Sequence, residues 1–175
     1  MYKDDVLAYR EEKDAAFKSE ASSPLTSDQK RAFTGLSYFD VDESLNRVVE
    51  VQEFDLKEKS DVQIHTTKGE TRWYRRWGKF EFDLNGQTVA LILYQTPHGF
   101  FLPFVDANKG ISTYPAGRYL DPEQIDDHTF HVDFNLAYNP FCAYNEKWSC
   151  PITPSENHLN VVIEAGEKIP SDEWL

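Results

Sequence analysis

Asn85-Gly86 is the residue pair that most readily takes positive φ at both central positions of a type I′ turn, and it ends an alternating run, Thr71 to Leu84. Tyr74, Phe80, Phe82 and Leu84 share one parity in that run, while Trp73, Arg75, Trp77, Lys79 and Glu81 share the other. Successive side chains of a strand point to opposite faces, so the run reads as one long strand with two distinct faces. Gln87 to Tyr94 must then fold back on Phe80 to Leu84 as an antiparallel hairpin. Val89 to Leu93 is apolar without alternation, the pattern of a strand covered on both sides. This hairpin is therefore expected at the centre of a sheet.

Around it the chain divides into a helical arm, residues 1–33, and a β-rich core, residues 34–175. Tyr2 to Glu20 contains neither glycine nor proline, and Val6, Leu7, Tyr9, Arg10, Lys13, Ala16 and Phe17 form an incomplete stripe at helical spacing. A helix with a narrow buried face is expected, lying over Trp73 and Trp77. Thr26 or Ser27 is placed to cap a short second helix. Arg47 to Leu56, Asp61 to Thr67, Phe100 to Val105, Phe130 to Phe134 and Leu159 to Glu164 read as further strands, with Pro103 pushing its strand toward an edge or a bulge. Many short strands after one helix predict a mainly β fold, an antiparallel barrel or sandwich-like domain with an N-terminal α-helix. With 175 residues, 40 % of them hydrophobic, the chain is long enough for one ordinary core and short for two. A single domain is expected.

Polar and reactive side chains concentrate between Gly117 and Leu159. His131, Asp133 and Asn135 alternate with Phe130, Val132 and Phe134, which puts a His-x-Asp-x-Asn row on the face opposite the phenylalanines. That row either meets solvent or lines the mouth of a pocket. Arg118 stands among apolar and aromatic neighbours, so its guanidinium calls for a carboxylate, with Asp133 and Glu156 as candidates. The pairing either pins a loop or leaves Arg118 to hold an anionic group. Cys142 and Cys150 enclose seven residues, a spacing that fits neither redox C-x-x-C nor short zinc knuckles, and no metal centre is expected. Cys142 with His131 as base and Asp133 or Asn135 as orienter nevertheless has the residue types of a hydrolase.

These same pieces carry a family likeness. GRYL (Gly117–Leu120), DFNLAYNPFCAY (Asp133–Tyr144) and CPITPSENHL (Cys150–Leu159), with GFFLPFVDA and STYPAG before them and VVIEAGEK after, resemble the bacterial and archaeal family known as domain of unknown function 1684. SPLTSDQKRAFTGLSYF resembles its opening, so the likeness runs from about Ser23 to Glu167. Where that family often has Cys-Pro-x-Pro-Pro, this chain has Cys150, Pro151, Ile152, Thr153 and Pro154, a less rigid turn. The resemblance implies a compact, soluble, β-rich domain and supplies no activity.

Charge narrows the partners. A formal charge of -12 repels nucleic acid and anionic lipid. No apolar run approaches the roughly 18 residues of a membrane span, and Met1 to Arg10 lacks a basic start followed by an apolar core. A cytoplasmic, soluble protein is expected, with a homodimer as one arrangement of the helical arm and no cofactor named by the sequence. Three functional readings follow. The first is a domain that binds a small polar or anionic ligand through Arg118, Tyr119, His131, Asp133, Asn135, Tyr138 and Tyr144. The second is a hydrolase-type enzyme using His131 and Asp133 with Cys142 or a metal-bound water. The third is a structural or interaction domain whose polar cluster fixes its own loops.

Overall fold

The computed structural model describes residues 1–175. Helix α1 (Tyr2–Ser19) and the short α2 (Ser27–Ala32) precede nine strands: β1 (Asn46–Glu50), β2 (Gln52–Glu53), β3 (Ser60–His65), β4 (Thr71–Leu84), β5 (Gln87–Thr96), β6 (Gly99–Phe104), β7 (Arg118–Leu120), β8 (Glu123–Gln124) and β9 (Thr129–Asp133). Every pairing between strands is antiparallel. One sheet runs β2-β4-β5-β6-β7, with β3 also on β4, and a smaller one runs β1-β9-β8. The sheets do not close into a barrel; the arrangement is sandwich-like.

The β4–β5 hairpin closes at Leu84↔Gln87, with φ of 51° at Asn85 and 78° at Gly86. In β5, Val89, Leu91 and Leu93 face the main core with Phe80, Phe82, Phe130 and Val132. Ile92 and Tyr94 face a second cluster with Ile64, Phe101 and Tyr119 on the other side of the same sheet. Both faces of β5 are thus covered, as its unbroken apolar run predicts.

β4 departs from simple alternation. Its register on β5 shifts between Arg76 and Gly78, and the extra residue swaps the faces of everything before it. Tyr74 therefore packs with Phe101 on the outer cluster while Phe80 and Phe82 stay in the core, although all three share a parity. Trp77 turns inward against Phe100 and Phe130, and Trp73 stays 63 % exposed. The expected cover of both tryptophans by α1 is overturned for this reason. Gly78 sits at the bulge with no room for a side chain: a Cβ there would lie 2.8 Å from the Gln52 carbonyl and 2.9 Å from Val51 Cγ1. Gly78→Ala is expected to lower stability by about 1–3 kcal/mol, the usual range for overpacking, read as a shifted urea midpoint. An unchanged midpoint would show that β2 yields freely.

Pro103 does not lie at an edge, because β6 runs between β5 and β7. The β5–β6 pairing ends at Tyr94↔Phe101, and beyond it the buried Asn157 side chain bridges the strands. Asn157 accepts from the Ile92 N–H at 2.8 Å and donates to the Ile92 and Pro103 carbonyls at 2.9 and 2.8 Å. The amide supplies bonds that proline cannot.

Leu159 to Glu164, expected as a strand, forms no ladder with another strand. Val161 packs against the core beside the buried Ile163 and Ala165, and the backbone from Ile163 to Glu167 is bonded partly by other backbone, through Phe39 N–H to the Gly166 carbonyl and Glu167 N–H to the Ala137 carbonyl at 2.9 Å each, and otherwise by side chains. Asp106 accepts from the Ile163 N–H at 2.9 Å. Arg118 donates to the carbonyls of Ile163, Ala165 and Glu167. The Ile163 and Ala165 carbonyls lie two residues apart, and the turn at Gly166, with φ of 75°, brings the Glu167 carbonyl to the same guanidinium.

Helix α1 docks mainly by polar groups. Its buried face, Val6, Arg10 and Phe17, carries only two apolar side chains. Arg10 donates to the Phe39 carbonyl at 2.9 Å and lies over the Tyr38 ring. Lys13 pairs with Glu167 at 2.6 Å, and Tyr2 donates to Asp133. α2 opens with a capping box in which Thr26 accepts from the Gln29 N–H and the Gln29 side chain accepts from the Thr26 N–H. No helix is long and apolar enough to cross a membrane.

Candidate functional site

The residues singled out between Gly117 and Leu159 fall into three places. The first is fully interior. Arg118 is 1 % exposed, and its nearest carboxylate is Asp106, 3.7 Å away, rather than Asp133 or Glu156. Asp106 also accepts from Thr113 Oγ1 at 2.5 Å. Burial pulls the guanidinium down to about 10, while Asp106 and then Glu167 hold it up, so it stays cationic at neutral pH. Glu156 is occupied elsewhere, taking Arg76 Nε at 3.0 Å and the Tyr94 hydroxyl. Tyr144 donates to Glu167 at 2.6 Å and accepts from Asn139, and burial pushes its phenol far up. The arginine fork spends its donors on backbone carbonyls and the Asp106 charge.

The second place is the end of β9. His131 and Asp133 share a face, opposite the buried Phe130 and Val132. The strand stops there, and Asn135 lies in a 3₁₀ turn, Phe134–Leu136, whose Asn135 N–H is accepted by Asp133. Asn135 also bonds both the N–H and the C=O of Asp42 at 2.8 Å. Tyr2 closes the group, donating to Asp133 and accepting from Asn135 at 2.9 Å. Asp133 and Asn135 are thus joined in a clasp for α1. His131 bonds to Asn46 and borders a cleft of about 250 Å³ with Tyr9, Asp121 and Tyr138. Cys142 has Cys150 and Tyr114 as its polar neighbours, so no hydrogen bond joins it to His131.

The third place is a recess of about 400 Å³ on the outer face of the large sheet. Its floor is a chain of rings: Tyr74 stacks on Phe101 at 5.2 Å, Phe101 meets Tyr119 edge-on at 4.9 Å, and Tyr119 meets Tyr138 edge-on at 5.8 Å. The phenols of Tyr119 and Tyr138 are tied to the Pro151 carbonyl and to Asp121, and burial pushes both upward. Phe141 and Trp148, in edge contact at 5.3 Å, form one wall. Arg72 and Cys150 complete the rim. Arg72 is exposed and donates one hydrogen bond, to the Ser149 carbonyl at 2.8 Å, which leaves guanidinium donors unused at the rim.

Sequence reasoning grouped Tyr119 and Tyr138 with Arg118, His131, Asp133, Asn135 and Tyr144 in one pocket; the recess holds only the first two of these and adds Arg72, Tyr74, Phe101 and Trp148. Their only shared signal is aromatic content, and the β4 bulge hides that Tyr74 and Phe101 share a face. A larger hollow of about 550 Å³ lies between β2 and β4, lined mostly by Glu50, Gln52, Glu53, Lys79, Glu81 and His128. Lys79 and Glu81 are already paired there at 2.5 Å, and only Val51 and Phe80 among its lining residues are hydrophobic, with no chain of rings as a floor. No cluster of three or more histidine, cysteine or acidic side chains is arranged to hold a metal ion.

Residues 31–168 match the family described as "Protein of unknown function (DUF1684)". No curated protein matches the chain. Among solved structures, the chain is similar to an uncharacterized protein of Haloarcula marismortui determined by solution NMR, with 33 % identity over 95 % of this chain and 94 % of that one and a TM-score of 0.70.

Proposed function

Since the chain belongs to this DUF1684 family, whose description carries no activity, we propose from the recess itself that the protein binds a small molecule with a flat apolar body and an anionic group. The supporting observation is the ring floor of Tyr74, Phe101, Tyr119 and Tyr138 with the Arg72 guanidinium on its rim. Rings held by their neighbours lose little freedom when a flat ligand lies on them. A guanidinium with unused donors at the edge selects carboxylate, sulfonate or phosphate. Arg118 fills that role less well, because its donors are spent inside the fold. The hydrolase reading has less support, since Asp133 is taken up by Tyr2 and Asn135 and His131 lies on Asn46.

Titration with anilinonaphthalene sulfonate, a flat aromatic anion, tests it by NMR shift mapping. Shifts are expected around Trp148, Tyr119 and Tyr138. Arg72→Gln, checked for a normal melting curve, should weaken binding about ten-fold or more, from the ~1.5–3 kcal/mol of a hydrogen bond to a charged group. Shifts confined to the Glu50–His128 hollow, or an affinity indifferent to Arg72→Gln, would reject the reading.

A further inference from the structure

Cys150 lines the same recess, and Cys142 lies next to it behind Phe141. Cys142 lies in the 3₁₀ turn Phe141–Ala143, and its N–H donates to Cys150 Sγ at 3.3 Å. Cys150 is held from the other side by Thr67, whose hydroxyl accepts the Cys150 N–H at 3.2 Å and whose own N–H donates to the Cys150 carbonyl at 2.9 Å. Both thiols are unbridged, and seven residues separate them in sequence. The Cys142 N–H on Cys150 Sγ sets the two residues side by side across that loop, so closing a bridge requires only a local shift of the two side chains.

The two sulfurs are not equivalent. Cys150 borders the recess, whereas Cys142 Sγ lies 4.0 Å from the Tyr114 hydroxyl. The Cys142 thiol, the backbone N–H groups of Cys142 and Phe141, and the Arg72 charge bring Cys150 down to about 6 against the opposing effect of burial. The same contact, with burial, pushes Cys142 up. Arg72 on β4, Tyr119 on β7, Tyr114 in the preceding loop and Cys142 itself are the titratable or charged groups that face the pair. The sulfur favoured as thiolate is the one that borders the recess, and Cys142 lies beside Tyr114.

We propose that Cys142 and Cys150 form a dithiol redox site that reduces small disulfides bearing carboxylates. The Cys150 thiolate attacks one sulfur of RS–SR, forming the Cys150–S–S–R bond and expelling RS⁻, which takes up a proton. Cys142 then loses its proton and attacks Cys150 Sγ, forming the Cys142–Cys150 bond and expelling the second RS⁻, which is protonated in turn. Two protein thiols are oxidised by two electrons, and one disulfide is reduced to two thiols. Arg72 stands beside the attacking sulfur to hold a carboxylate of RS–SR. The chemistry shares the recess with the ligand reading but does not rest on it.

Oxidised glutathione is the probe, with intact mass and peptide mapping after acid quench. The wild type should lose two hydrogens and show the Cys142–Cys150 bridge with no lasting adduct. Cys142→Ser should instead trap one glutathione on Cys150, and Cys150→Ser should gain neither bridge nor adduct. At pH 6 the lowered thiol has a thiolate fraction about a hundred-fold above an ordinary cysteine, and its weaker nucleophilicity offsets about ten-fold of that. The folded wild type, in which Cys142 keeps Cys150 lowered, should therefore react with oxidised glutathione about ten-fold faster than the same chain in urea. Wild-type protein that stays fully reduced in excess oxidised glutathione overturns the proposal, a result that needs no variant to fold. An adduct on Cys142 in Cys150→Ser at the rate seen for Cys150 overturns it as well. Dye binding that ignores Arg72 while the bridge still forms would remove the ligand reading alone.

Discussion

Arg118→Ala is expected to destabilise the protein by about 3–5 kcal/mol, the range for removing one partner of a buried ion pair, and to leave little folded protein near 37 °C if total stability lies at the low end of ~5–15 kcal/mol. The substitution strands three acceptors, the carbonyls of Ile163, Ala165 and Glu167, and leaves Asp106, itself buried, without its cation. It also empties the space between Phe104 and Phe39, over which the guanidinium lies at 5.1 and 5.8 Å. Arg118→Lys keeps the charge but replaces a planar fork with a point donor, so it should fall between wild type and alanine. Arg118→Met with Asp106→Asn should be less damaging than the sum of the two single changes, because no charge is then left unpaired. Urea melts of the wild type, the four single variants and the double variant measure this. An Arg118→Ala protein with a wild-type midpoint would show that the segment from Ile163 to Glu167 is held by its apolar side chains and its remaining hydrogen bonds, without the guanidinium.

That segment also shows where sequence reading stops. Val161, Ile163 and Ala165 alternate as a strand does, and the apolar face follows from that pattern. Nothing local states that the partners are the side chains of Arg118 and Asp106. Arg118 among apolar neighbours signalled a carboxylate, yet Asp106 lies in a loop with no motif to single it out from Asp133 or Glu156. The hairpin at Asn85-Gly86 was legible because backbone stereochemistry and side-chain parity act within a few residues. The same parity misassigned Tyr74 and Trp77, since the one-residue bulge before Gly78 is a tertiary event, made where β2 crowds β4. His131 and Asp133 do share a face, but the strand ends at Asp133, and Asn135 turns to serve Asp42 and Tyr2. The recess was the least legible feature. Its floor draws one ring each from β4, β6 and β7 and one from the segment after β9, and only the sheet order brings them together.

Glu167→Ala should release helix α1 and lower stability by a further amount of the same order, about 3–5 kcal/mol. Glu167 is 1 % exposed and joins three parts of the chain. One carboxylate oxygen takes the Asn139 N–H at 2.8 Å and the Tyr144 hydroxyl at 2.6 Å, and the other takes Lys13 of α1 at 2.6 Å. Alanine leaves the Asn139 N–H and the Tyr144 hydroxyl buried without an acceptor, and it removes the anion that balances Lys13. Glu167→Gln keeps the shape and one acceptor but sets an amide against the ammonium, so about 1–3 kcal/mol is expected, the cost of a buried group left unsatisfied. Lys13, partly exposed, can turn to solvent, which limits the loss in that variant. Since α1 buries only Val6 and Phe17 as apolar contacts, the helix depends on this pair, on Arg10 and on Tyr2. Hydrogen exchange should consequently rise first in Tyr2–Ser19 of Glu167→Gln while β4 and β5 stay protected. Exchange rising equally across the β4–β5 hairpin would instead place Glu167 among the supports of the central sheet, and unchanged exchange in α1 would show that Arg10 and the Tyr2 clasp hold the helix without it.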